Sequence, residues 1–166
     1  MANLYVMIGI SGAGKSTWAK EHLKKDIVYI SRDAIRFNLL DTLGGHYFDH
    51  EDEVTKTMWT TANQNLRAGK DVCIDQTSLT PKSRTWLLQH ITEYNKVYGI
   101  WIDTPVEECL KHNELRKNNH DHSYVPREVI RRMAIQFVEP KSDEGFARIY
   151  RIRNNEITYK GEPFNE

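Results

Sequence analysis

"GISGAGKST" (residues 9–17) follows the apolar run "LYVMI" (4–8) and precedes "WAKEHLKK" (18–25). Its first eight residues satisfy G-x-x-x-x-G-K-[ST] in full. Glycine at positions 9, 12 and 14 lets the backbone turn tightly enough for its N–H groups to face phosphate oxygens. Lys15 then supplies a positive charge at the β- and γ-phosphates, and the Ser16 hydroxyl suits Mg²⁺. A helix starting at Lys15 adds the positive end of its dipole. An apolar strand on one side and a helical stretch on the other are the flanks that this loop requires, so the motif points to a bound nucleoside triphosphate.

Outward from the loop, strands and helices alternate. Strands are expected at Leu4–Ile8, Ile27–Ile30, Val72–Asp75, Tyr98–Ile102 and Ala147–Ile152. Helices are expected over about 15–25, 33–40, 51–68, from Pro81, over about 105–117, and from Pro126 to Pro140. In the third helix Val54, Met58, Ala62 and Leu66 make one apolar stripe, and Gly69 is a suitable stop. Thr80-Pro81 reads as cap and first turn, and "TPVE" (104–107) as a capping box centred on Thr104. The tail from Asn154 is weakly patterned and reads as a hairpin edge or a short helix. Repeated strand–helix units imply one α/β domain over residues 1–166, with a five-stranded parallel sheet and helices on both faces. Ligands on such sheets sit at the carboxyl ends of the strands. Each polar motif below directly follows an apolar strand.

The 166 residues suffice for one domain with its own core, with 39% hydrophobic and 28% charged content. Twenty-three basic and twenty-three acidic residues cancel, which does not favour bulk coating of nucleic acid but leaves room for a local basic patch. Cys73 and Cys109 lie in apolar patterns and read as core filler, with no zinc spacing. Neither a signal peptide nor a run of about 20 apolar residues is visible, so the expected setting is cytoplasmic and reducing. Guanine specificity is rejected, because "NKVY" (95–98) lacks the Asp of N-K-x-D and precedes a strand instead of following one. A motor ATPase would usually be longer.

Three further segments carry chemistry. In "SRDAIR" (31–36), Asp33 opens a helix and would face the γ-phosphate as a base for a hydroxyl acceptor. Arg36, one turn on, suits an anion belonging to the acceptor. In "DQTSLTP" (75–81), Asp75 ends a strand and suits a Mg²⁺-bound water or the acceptor. From Cys109 to Val138 six Lys/Arg stand against three acids, with "KHNELRKNNHDHSY" (111–124) inside, which reads as a basic lid over about 112–128. Arg116 is its candidate for stabilising the transferring phosphoryl group. Plainer roles compete: a helix-start carboxylate for Asp33, a turn residue for Asp75, and a solvated mixed-charge loop for the lid. The spacing of His112, His120 and His122 is poor for a metal. Phe37 and "GGHYFDH" (44–50) would either stack a base or pack.

GxSGxGKST, then S-R-D-x-x-R, then D-x-T, then a lid with N-x-x-R, in that order over residues 4–140, resembles the kinase domain of polynucleotide 5′-kinases. The resemblance implies that Gly9, Ser11, Gly12, Ala13, Gly14, Lys15, Ser16, Thr17 and Arg116 hold ATP. It implies Mg²⁺ on Ser16, with Asp33 or Asp75 acting through water. Asp33 would be the general base for a 5′-hydroxyl of DNA or RNA, with Lys15 and Arg116 also catalytic. Arg36, Asp75 and Thr77 would contact the nucleic acid end. The family's lid carries two arginines four residues apart; here the pair reads His112 and Arg116, which leaves the first contact to another residue such as Arg127. No D-x-D-G-T phosphatase motif is present, since "DTPVEE" (103–108) does not match, so kinase activity alone is expected. The rival expectations are a kinase for a small metabolite and a non-catalytic nucleotide sensor; the Asp33/Arg36 pair argues against the second.

Overall fold

Strand β1 (Leu4–Ile8) is apolar at every position because both of its faces are covered. Leu4, Val6 and Ile8 point into one core with Met58, Ala62 and Leu66; Met7 points into a second core with Ala19, Cys109, Leu110 and Ile130. A computed structural model describes residues 1–121 and 124–161. After β1 come α1 (Lys15–His22), β2 (Val28–Ser31), α2 (Arg32–Leu43), α3 (Glu51–Arg67), β3 (Val72–Asp75) and α4 (Pro81–His90). Next are β4 (Val97–Ile102), α5 (Val106–Asn118), α6 (Arg127–Gln136), β5 (Arg148–Arg153) and β6 (Glu156–Gly161). The strand order is β2-β3-β1-β4-β5-β6. The first five strands are parallel, as expected, and helices lie on both faces.

The sheet has six strands, not five. Asn154 and Asn155 both take positive φ, 50° and 62°, and this two-residue turn sends β6 back antiparallel to β5. Strand β2 does not adjoin β1, since β3 lies between them. The register sets Ser31 beside Asp75, so the tips of β2 and β3 still open on one edge. Residues 162–166 and the lid residues His122 and Ser123 lie outside the described residues.

Helix ends follow their caps. Ser31 accepts from the Ala34 amide and starts α2 one residue before Asp33, and the helix continues to Leu43. The Thr80 cap is present, with Ser83 reciprocating and Pro81 in the first turn. Thr104 caps nothing. Its hydroxyl donates to the Ala13 carbonyl at 2.7 Å, and α5 begins at Val106 without a side-chain cap. Helix α1 stops at His22, where Leu23 turns extended, and α6 stops at Gln136, well before Pro140.

One buried ion pair joins α4 to the short turn Ser142–Glu144. Arg84 is fully buried and meets Glu144 at 2.6 Å, while also donating to the carbonyls of Ser78 and Val138. Replacing Arg84 with Ala strands the Glu144 carboxylate in the interior. The variant is expected to lose about 3–5 kcal/mol of stability in urea unfolding.

Candidate active site

The phosphate loop is shaped by close backbone approach. Gly12 has φ of 84°, and a Cβ there would lie 2.5 Å from the Cys109 carbonyl oxygen. At Gly14, φ of 95° accompanies open space where a Cβ would go, and Gly14 caps α1. The Gly9 amide donates to the Thr77 carbonyl at 3.0 Å, which ties the loop to the segment after β3. From the other side, the His112 Nδ1–H donates to the Gly12 carbonyl at 2.7 Å. The side chain at the first lid position therefore holds the loop itself. Arg127, the first residue of α6, does not line the cavity beside the loop; Arg116 does.

That cavity encloses about 500 Å³. Gly12–Gly14, Thr17 and Trp18 form one wall, Asp103–Pro105 another, His112 and Arg116 a third, and the Asn154–Asn155 turn closes the end. Asn113, fully buried, both donates to and accepts from the Val125 backbone, which pins the two ends of the lid segment together. The Arg116 guanidinium makes no hydrogen bond or ion pair among the described residues.

Lys15 is 9% exposed and donates to the Ile10 carbonyl at 3.1 Å. Burial pulls its ammonium below the usual lysine range, Asp75 and Asp33 oppose that, and Arg116 adds to it. Three of the residues singled out from sequence, Asp33, Asp75 and Arg116, thus act on Lys15 at the edge of the sheet. Tyr29 donates a very short hydrogen bond to Asp75 Oδ2. Burial first, and then Asp75, push the Tyr29 phenol far above its ordinary value, so it stays a donor.

Asp33 is half exposed, its side chain at 49%. Arg36 Nη1 reaches Asp33 Oδ1 at 2.5 Å and the Tyr47 hydroxyl at 2.8 Å. The same guanidinium is buried and clasped by Glu51 through Nε (2.6 Å) and Nη2 (3.2 Å). Arg32 shares Glu51 at 2.7 Å and donates to Thr55. The sequence reading overlooked Glu51. The signal was the 15-residue separation between S-R-D-x-x-R and an acid-rich helix start, which only the α2–α3 packing turns into a contact. Phe37 packs edge-on to Tyr47, while Phe48 stays 74% exposed next to it.

A nucleotide-binding loop on a mainly parallel sheet in the order 2-3-1-4-5, with a helical segment across it, defines a P-loop domain of the kinase type. The chain belongs to the AAA domain family, whose model matches residues 4–140. Among solved structures it is similar to a chain of the Pnkp1/Rnl/Hen1 RNA repair complex, with a TM-score of 0.70 and 25% identity. The match covers 81% of this chain and 43% of that one, so the present chain spans less than half of its relative. Two structures of lower sequence identity share the fold. Kti12 from Chaetomium thermophilum, in complex with ADP-AlF3, gives 0.71 at 15% identity over 92% of this chain and 89% of that one. A sugar kinase from Janibacter sp. gives 0.64 at 15% over 91% and 86%. No helix among the described residues is long and apolar enough to cross a membrane.

Gly12→Ala forces both an unfavourable φ and the approach to Cys109. It is expected to lose more than about 1 kcal/mol of stability and to weaken binding of a fluorescent ATP analogue in titration. Glu51 yields a pH dependence. Burial alone would raise its carboxyl, but hydrogen bonds from Arg36 and Arg32 hold it below the usual range. Its contribution is therefore complete above the unfolded value of about 4.3 and is lost as pH falls through the lower folded value. Glu51→Gln should flatten the fall in urea midpoint between about pH 5 and about pH 3.

Proposed function

We propose that this chain transfers the γ-phosphoryl group of ATP to the 5′-hydroxyl end of a DNA or RNA strand. The observation that carries the reading is Asp33, a half-exposed carboxylate at the tip of β2, within electrostatic range of Lys15 and braced by Arg36. A phosphoryl acceptor needs a base at that edge, and a strand end brings its own phosphate for an arginine next to the base. Similarity to a chain of an RNA repair complex supports a nucleic acid acceptor. The reading takes residues 1–166 as one kinase domain acting in the cytoplasm, with the lid over about 112–128.

The roles follow from position. The backbone of Gly9–Gly14 and the side chains of Lys15, Ser16 and Thr17 receive the triphosphate. Ser16 and Asp75 offer a hydroxyl and a carboxylate, oxygen donors of the kind that Mg²⁺ takes, and Tyr29 engages one Asp75 oxygen and leaves the other free for a metal-bound water. When bound, the ion would neutralise charge on the triphosphate. Arg116, unengaged at the cavity wall, supplies positive charge to the phosphoryl group in transfer. Arg36 and Thr77 meet the acceptor end. Asp33 takes the proton of the attacking hydroxyl.

With radiolabelled ATP and Mg²⁺, the protein is expected to label a 5′-hydroxyl oligonucleotide. Labelling of nucleosides or sugars with no oligonucleotide product would make it a metabolite kinase; no transfer to any acceptor would make it a nucleotide sensor. Asp33→Asn should lower turnover at least ~10²-fold and leave ATP affinity nearly unchanged.

A further inference from the structure

A second cavity, of about 320 Å³, lies on the far side of the β3 tip from the phosphate loop. Trp59 from α3 and Trp86 from α4 form its wall, with rings edge-to-face and centroids 5.0 Å apart. Met58 and Leu87 make it apolar, and Arg32 stands at one side. Trp86 is 51% exposed, large for an indole whose neighbour Trp59 is already stacked on His90 at 3.8 Å. Two polar groups here have no hydrogen-bond partner among the described residues. The Gln76 side-chain amide makes no hydrogen bond among the described residues. The Ser78 hydroxyl, in a residue 3% exposed with φ of 50°, also has none. A buried hydroxyl such as that of Ser78 is rarely left so, whereas the Gln76 amide is partly exposed and open to a ligand or to water.

The cavity adjoins the acceptor edge through Arg32 and Thr77. Arg32 precedes Asp33 and shares Glu51 with Arg36. Gln76 and Thr77 follow Asp75, and Thr77 lines the cavity while its carbonyl holds Gly9. A ligand here must be flat enough for an indole wall. It must also carry a donor and an acceptor for an amide, and lie beside an anion for which Arg32 is at hand. A nucleobase near the 5′ end of a strand has all three properties; a sugar has no π-face to offer.

We infer that this Trp59–Trp86 cavity is an acceptor subsite that seats a nucleobase of the strand, with Gln76 meeting the edge of the base. The inference rests on the nucleic acid reading above, and the test separates the two. Binding of a short 5′-hydroxyl oligonucleotide carrying a 3′ fluorophore is measured by anisotropy without ATP. It is compared with the same oligomer abasic at its first two positions. Phosphorylation of both is followed in parallel. The base-bearing oligomer is expected to bind at least ~5-fold more tightly, the lower end of stacking on an aromatic ring. Trp86→Ala should abolish the difference, and Trp86→Phe should restore most of it. Gln76→Ala should shrink the difference with little change in thermal unfolding. Equal binding of the two oligomers, or an equal loss for both in Trp86→Ala, overturns the subsite while oligonucleotide phosphorylation still stands. Absence of any oligonucleotide binding and labelling overturns both.

Discussion

An ammonium removed from water must be given partners, and among the described residues Lys15 has one hydrogen-bond partner, the Ile10 carbonyl. Everything at the edge of the sheet is arranged around that shortfall. Burial works against the charge, and the carboxylates of Asp75 and Asp33 work for it from two different strand tips. The anion best placed to complete the set is a phosphate chain lying along the amides of the loop, so the loop and the acceptor side are linked electrostatically before any ligand arrives.

The backbone of the loop is held as firmly as its charge. Thr77 fixes its start, Thr104 and His112 accept the duty of holding Ala13 and Gly12, and Cys109 leaves Gly12 no room for a side chain. Three of these four come from α5 and the loop that leads into it from β4. The lid helix is thus anchored to the phosphate loop by its own first turns, and Asn113 closes the segment beyond it onto Val125. Arg116 sits on α5 about one turn beyond His112 and Asn113. Its guanidinium makes no ion pair among the described residues, which on the proposed reading leaves it available to charge developing on the phosphoryl group.

The sequence was informative wherever a local rule decided the outcome. The loop, the stripe on α3, the Thr80 cap and the order of the motifs are all short-range signals. It was weaker where a side chain had a choice of partner. Thr104 fits a capping box by spacing, but the Ala13 carbonyl is a better partner because it would otherwise be left half-buried beside the loop. His112 looked like a missing arginine, though its ring is the right length to bond Gly12 from α5. Arg84 gave no sign of its burial, since Glu144 stands 60 residues away. The tail from Asn154 reads equally as a hairpin edge or a short helix; the structure makes it the hairpin edge β6, its turn set by two asparagines in the left-handed region.

Arg36 and Arg32 face Asp33 and Glu51, two positive charges against two negative, so the acceptor side is locally neutral as it stands. Glu51 holds Arg36 by two nitrogens and is itself held by Arg32, whereas Asp33 has one Arg36 nitrogen and shares it with Tyr47. An incoming phosphate therefore competes most easily for Nη1, the one nitrogen that Asp33 uses. Taking it would leave the Glu51 clasp intact and set the Asp33 carboxylate free at the moment a hydroxyl arrives beside it. On the proposed reading the same guanidinium would both meet the acceptor and uncover the base, with the double grip of Glu51 holding it in place.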